Sequence, residues 1–152
     1  HADAIKNSKI SGPSVYTLSE RASDKEAAML AERENKADLI SGMDITNYDD
    51  QVAGILIDLA QSETMNKSVR FAGRLISELK KRTKVLRNTH RFAGFAVLKA
   101  ADVPSVLLEL GFLSNHKDER ALRDSSYRAH LAAGVAGAVA GYFARIEQAF
   151  GR

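Results

Sequence analysis

The amino-acid sequence predicts an α/β fold, a mostly parallel or mixed sheet flanked by helices, and three observations lead to it. Residues 105–110 (SVLLEL) are a short apolar run whose Val106, Leu107 and Leu108 are apolar on both faces, the pattern of a central strand covered on each side. Long segments with apolar residues at helical spacing stand before and after it. The order of segments is helix, helix, strand, strand, helix, with the strands buried.

Taken from the N-terminus, a weak strand is predicted at residues 14–18, after the turn residues Ser11, Gly12 and Pro13. Ser23 followed three residues later by Glu26 reads as a capping box, opening a helix that stops near Gly42. A second helix begins after Asp49, with Val52, Ile55, Leu56, Leu59 and Ala60 on one stripe. A further stretch carries Val69, Ala72, Leu75, Ile76 and Leu79, and the polar patch at residues 62–67 is expected to bend or break the helix between them. Residues 94–100 (GFAVLKA), bracketed like 105–110 by Gly or Pro, are predicted as a second buried strand. Ser125 opens the last helix, in which Leu131, Val135, Val139, Tyr142, Phe143 and Ile146 repeat at helical spacing. Gly134, Gly137 and Gly141 leave one of its faces small enough to pack closely on a sheet. Three strands make a thin sheet and none precedes His1, so an N-terminal part of the sheet is expected to be missing.

The chain has 152 residues, 45% of them hydrophobic and 27% charged, which suits one globular domain and argues against disorder. A net charge of +3 is mild, and its excess lies between Arg70 and Arg91, in a run that reads as a solvated helix end. Aromatic residues and glycines are not interleaved as in an RNA-binding sheet, so no nucleic-acid partner is expected. Cysteine is absent, which removes disulfides, thiolate zinc sites and cysteine nucleophiles together. No apolar run of membrane-span length is found, and nothing at the N-terminus resembles a signal peptide.

Three residues are candidates for chemistry. Glu109 ends an apolar strand, where a carboxylate is costly unless it has a partner, and ligands collect beyond the carboxyl ends of parallel strands. It can serve as a general acid or base, or simply be satisfied by an ion pair or a helix start. Gly111, Ser114 and Asn115 follow as a tight turn and a helix cap. His1, in His-Ala-Asp-Ala, has small neighbours that would let it approach a metal, whereas His90, His116 and His130 lack ligand spacing and read as surface or packing residues. Glu34 falls on the helical stripe of Ala27, Leu30 and Ala31, while Glu32 points away. An inward carboxylate there needs a partner, either a basic side chain or a metal, and Asp38 shares the stripe.

His-Ala-Asp-Ala at residues 1–4, with AGFAVLKAADVPSVLLELGFLSN at residues 93–115, resembles the zinc-dependent N-acetylmuramoyl-L-alanine amidases of bacterial cell separation. The resemblance spans nearly the whole chain and implies a periplasmic or envelope hydrolase of peptidoglycan. It makes His1 a zinc ligand and Glu109 the catalytic carboxylate. Two further zinc ligands in that family, a histidine and a glutamate, come earlier in the chain and do not stand in this sequence. Residues 1–152 would then be the C-terminal part of one catalytic domain. Residues 33–65 resemble the helical insertion that, in a subset of the family, covers the zinc cleft until an activator with a LytM domain displaces it. The resemblance implies that Glu34 is the residue capping the metal. Two other readings, a non-catalytic interaction module and a different zinc peptidase acting on the same stem peptides, predict no metal dependence and a different product respectively.

Overall fold

A computed structural model describes residues 1–40 and 51–150. Three strands, β1 (Ser14–Leu18), β2 (His90–Ala93) and β3 (Leu107–Glu109), form one sheet in the order β2, β1, β3. The Val15 N–H donates to Thr89 O and the Ser19 N–H to Ala93 O, so β1 and β2 advance together and run parallel. Among the described residues the helices are α1 (Lys25–Ile40), α2 (Gln51–Lys80), α3 (His116–Arg123) and α4 (Ser125–Phe150). The predicted α/β class, the strand at 14–18 and the helix opening at Ser125 are observed. The predicted stop near Gly42 lies outside the described residues.

The chain divides into two compact units. One gathers His1–Val15, Phe71–His90 and the chain from Leu108 on, and the other Tyr16–Arg70 and Arg91–Leu107.

In the second unit, Tyr16, Ala27, Leu30, Ala31, Ala93, Phe95, Leu98 and Leu107 form the core, with the Tyr16 and Phe95 rings edge to face at 5.4 Å. Helix α1 presents the stripe of Ala27, Leu30 and Ala31 to this core, as its spacing predicts. Its cap is Asp24 rather than Ser23: Asp24 Oδ1 accepts the Ala27 N–H at 2.8 Å, and Ser23 instead donates its hydroxyl to Asp24. A carboxylate outcompetes a hydroxyl for this role because it also binds Arg91. Arg91 is 5% exposed, not part of a solvated run as expected, and its guanidinium also donates to the Tyr16 hydroxyl at 3.2 Å. Strand β2 was hidden in the sequence by this arginine, whose charge is neutralised inside the fold.

Residues 94–100 are not the strand that their apolarity predicts. Residues 96–98 turn as a short 3-10 helix, and Asn35 supplies the backbone partners that a ladder would have given. Asn35 Nδ2 donates to Gly94 O at 2.8 Å and its Oδ1 accepts the Ala96 N–H at 2.7 Å. Phe95 and Leu98, three apart, reach the core together, a helical rather than an alternating use of the apolar residues. Helix α2 is continuous through residues 62–67. The Thr64 hydroxyl leaves the helix to donate to Ala101 O at 2.7 Å, Ser68 bonds back to Thr64 O, and Glu63 pairs with Lys67 on the exposed side. The polar patch therefore fastens the helix to the 99–105 segment instead of breaking it.

In the first unit, Ala72, Leu75 and Leu79 of α2 are buried, as are Leu131 and Ala138 of α4. The small face of α4 packs on helix α2, not on a sheet: a Cβ at Gly134 would stand 3.1 Å from Leu79 Cδ2. Gly137 and Gly141 likewise face Glu78 and Arg74. Val139 and Phe143 of the predicted apolar stripe are exposed instead, because the glycine and alanine face allows the closer approach. The residues Ser125–Ala149 are long and apolar enough to cross a membrane by length and composition, which corrects the expectation that no such segment exists. Alanine supplies much of that apolarity without forming an unbroken run of large aliphatic residues.

Burial alone would raise the Asp24 carboxyl, but its bonds to Arg91, the Ala27 N–H and Ser23 outweigh this and hold its pKa below the ordinary 3.8. A carboxyl lowered on folding contributes stability that is present above its unfolded pKa and lost as pH falls through its folded one. Asp24→Ala should cost about 3 kcal/mol at neutral pH, because the buried Arg91 loses its hydrogen-bonded carboxylate and keeps only the more distant Glu26. In urea denaturation at pH 7 and pH 3, the gap between the variant and the parent should narrow at pH 3.

Candidate metal centre

Residues 1–12 contain no helix or strand, so their backbone groups need partners elsewhere, and β3 with the turn after it provides them. The His1 backbone nitrogen donates to Leu108 O, and the Leu110 N–H donates to His1 O, each at 2.9 Å. This pair of bonds places His1 opposite Glu109 in parallel register. Further along, the Leu113 N–H donates to Asp3 O at 2.8 Å and the Ile5 N–H to Ser114 Oγ at 3.1 Å. Asn115, as the sequence suggests, caps α3 by accepting the Lys117 and Asp118 N–H groups, and its amide also donates to Ser8 O.

Asp118, on the first turn of that helix, ties both sides together. Its buried carboxylate accepts the Ser11 hydroxyl at 2.7 Å, the Gly12 N–H at 2.9 Å and the Phe112 N–H at 2.9 Å. Two glycines allow close packing here, Gly12 against the backbone of residues 84–86 and Gly111 against Asp118. Gly12 has φ +95° with the backbone of residues 84–86 within 3.1 Å of where a Cβ would lie, and Gly111 has φ +153° with Asp118 equally close.

The result is a cluster of His1, Asp3 and Glu109, each offering a ligand atom within 4.8 Å of the others. Glu109 is fully buried, the Asp3 side chain is 16% exposed and His1 is about half exposed, so the cluster opens to solvent on the histidine side. One Glu109 oxygen, Oε2, accepts the Asp3 N–H at 3.2 Å. The other, Oε1, is buried with no hydrogen-bond partner. Burial, and next the charge of Asp3, push the Glu109 carboxyl up to about 7, against the pull of the Asp3 N–H. A histidine and two adjacent carboxylates form a donor set that suits a divalent cation such as zinc.

His1 and Glu109, singled out from the sequence, thus stand together. Glu34 belongs to the other unit, half buried one turn beyond Leu30 and Ala31 on α1. Asp3 was missed, although it stands in the same four-residue motif as His1. Its signal was the alternation of that motif along an extended chain, which sets the first and third side chains on one side. His90, His116 and His130 are exposed, in keeping with their reading as surface residues.

Residues 1–141 match the N-acetylmuramoyl-L-alanine amidase family, and the chain belongs to it. It is 39% identical over 145 residues to the N-acetylmuramoyl-L-alanine amidase AmiA of Escherichia coli K12, a match covering 94% of this chain and 50% of the relative. The AmiA of Salmonella typhimurium is 37% identical over 144 residues, with the same coverage. The chain therefore spans about half the length of these relatives. Among solved structures, the amidase Ami1 of Mycobacterium smegmatis shares the fold at a TM-score of 0.59 and 20% identity, covering 95% of this chain and 52% of that one. An N-acetylmuramoyl-L-alanine amidase from Clostridium difficile 630 does so at 0.59 and 18%, covering 94% and 54%.

The Asp118 clamp is open to a direct test. Asp118→Ala orphans three donors and should cost about 3 kcal/mol or more. Thermal melting of the variant should show a clearly lowered midpoint, whereas Asp124→Ala, at the other end of α3, should lower it much less.

Proposed function

We propose that this chain supplies part of the catalytic domain of a zinc-dependent N-acetylmuramoyl-L-alanine amidase, which hydrolyses the amide between N-acetylmuramic acid and the L-alanine of the stem peptide in peptidoglycan. The observation that carries the reading is the buried Glu109 carboxylate, held at a strand end within ligand distance of His1. His1 would hold the metal through its ring, together with ligands that the family resemblance places upstream. Zinc bound there would polarise the amide carbonyl and make a bound water acidic enough to attack near neutral pH.

The remaining work falls to Glu109. Burial raises its proton affinity above that of an ordinary carboxylate, so it can take a proton from water and give it back within one cycle. The Asp3 N–H on Oε2 fixes the carboxylate plane and leaves Oε1 for that exchange. The proton passes to the leaving amine of L-alanine, so that the amine departs neutral as the carboxylate re-forms.

We further propose that residues 33–65 are a regulatory insertion, with Glu34 capping the metal until an activator bearing a LytM domain draws it away. Glu34 is half buried and continues the stripe of Ala27, Leu30 and Ala31 on α1, and the resemblance of residues 33–65 to the family's helical insertion supports its assignment. Access to a peptidoglycan substrate would require the protein to work in the periplasm or cell envelope.

Two measurements on the protein at its full natural length test these readings. Glu109→Gln should lower kcat for release of stem peptide from purified peptidoglycan by a factor of about 10²–10⁴ with zinc still bound. Loss of only a terminal amino acid from the stem would instead identify another zinc peptidase. Glu34→Ala should raise basal hydrolysis several-fold in the absence of activator, and unchanged basal activity would remove Glu34 from the capping role.

A further inference from the structure

Asp3 contributes to the cluster in two separable ways. Its backbone N–H holds Glu109 Oε2 at 3.2 Å, and its backbone carbonyl accepts the Leu113 N–H at 2.8 Å. Almost any residue except proline could make these bonds. Its carboxylate is another matter. With 16% of the side chain exposed, it stands beside the buried Glu109, an arrangement that costs energy through both desolvation and like-charge repulsion. The Asp3 carboxylate faces two groups, the Glu109 carboxyl and the His1 imidazole, and of these only the imidazole offers it a complementary charge: Asp3 Oδ2 lies 3.8 Å from His1 Nδ1.

We propose that Asp3 is a positioning residue that accepts the Nδ1–H of His1, fixing the imidazole tautomer and orientation so that Nε2 is the nitrogen presented to the metal. A ring with one nitrogen tied to an anion is a stronger and better-aimed ligand through the other. The two residues are set on one side of an extended segment whose backbone is anchored to Leu108, Leu110 and Leu113. The acceptor therefore comes from the same anchored strip as the ligand, and the backbone bonds fix the register in which the two side chains face each other. The opposing half of the same residue steadies Glu109, so Asp3 couples the orientation of the metal ligand to that of the buried carboxylate.

This inference rests on the reading of His1 as a metal ligand, and the test separates the two. Zinc affinity is measured by competition with a chelating dye on the full-length protein, alongside apo-protein melting and the absorption bands of the cobalt-substituted form. Asp3→Ala should weaken zinc binding by about 100-fold and Asp3→Asn, which keeps a neutral acceptor, by about 10-fold, with cobalt band positions unchanged in both. Parent-like affinity in folded Asp3→Ala would overturn the proposal, as it would in Asp3→Asn should the alanine variant not fold. Shifted cobalt bands would overturn it differently, by making Asp3 a direct ligand. Tight zinc binding by His1→Ala would remove the metal-centre reading itself, and the role of Asp3 with it.

Discussion

The Asp118 carboxylate accepts a hydroxyl and two backbone N–H groups from two different loops, and the placement of the candidate site depends on that convergence. A short surface helix would ordinarily contribute little to a core. Here it begins with Asn115 capping its first turn and buries one acidic residue where three donors meet. An anion is the efficient choice because it accepts from several donors at once, and charge-assisted bonds are stronger than neutral ones. One loop leads into β1 and carries the extended strip with His1 and Asp3, and the other leaves β3 just after Glu109. Fixing both loops to one carboxylate fixes the residues they carry.

The second constraint is electrostatic. Glu109 is buried next to Asp3, and the Asp3 N–H does not keep its carboxyl in the ordinary range. The other unit meets the opposite problem, a buried guanidinium, and solves it internally: Arg91 has Asp24, Glu26 and the Tyr16 ring and hydroxyl around it. The contrast is informative. The buried cation of one unit is neutralised within the fold, whereas the paired carboxylates of the other hold a half-exposed histidine open to solvent, as a site that receives a cation would.

Much of this was legible in the sequence. The strand at 14–18, the buried stripe of α1, the Asn115 cap and the strand that ends at Glu109 follow from local pattern and turn chemistry. The misses have tertiary causes. Residues 94–100 are apolar enough for a strand, but Asn35 satisfies their backbone from α1, sixty or so positions away in sequence. Strand β2 carries an arginine whose partner lies in another element, so its charge concealed its burial. The glycines of α4 announced close packing correctly, yet nothing local says whether helix or sheet is the neighbour. Asp3 was overlooked because its importance comes from Glu109, which is distant in sequence and adjacent only in the fold.

Strand β3 is three residues long, and its backbone is secured on both sides. Before it, the Ser105 N–H donates to Ser68 Oγ, and after it the Phe112 N–H donates to Asp118. Because strand side chains alternate between faces, inserting or deleting one residue between these anchors would put Leu108 or Leu110 where the carboxylate now stands. Substitutions in that stretch change a surface by degrees, but a change in its length exchanges an acid for a hydrocarbon. The spacing from Ser105 to Phe112 is thus as much a part of the site as the residues that compose it.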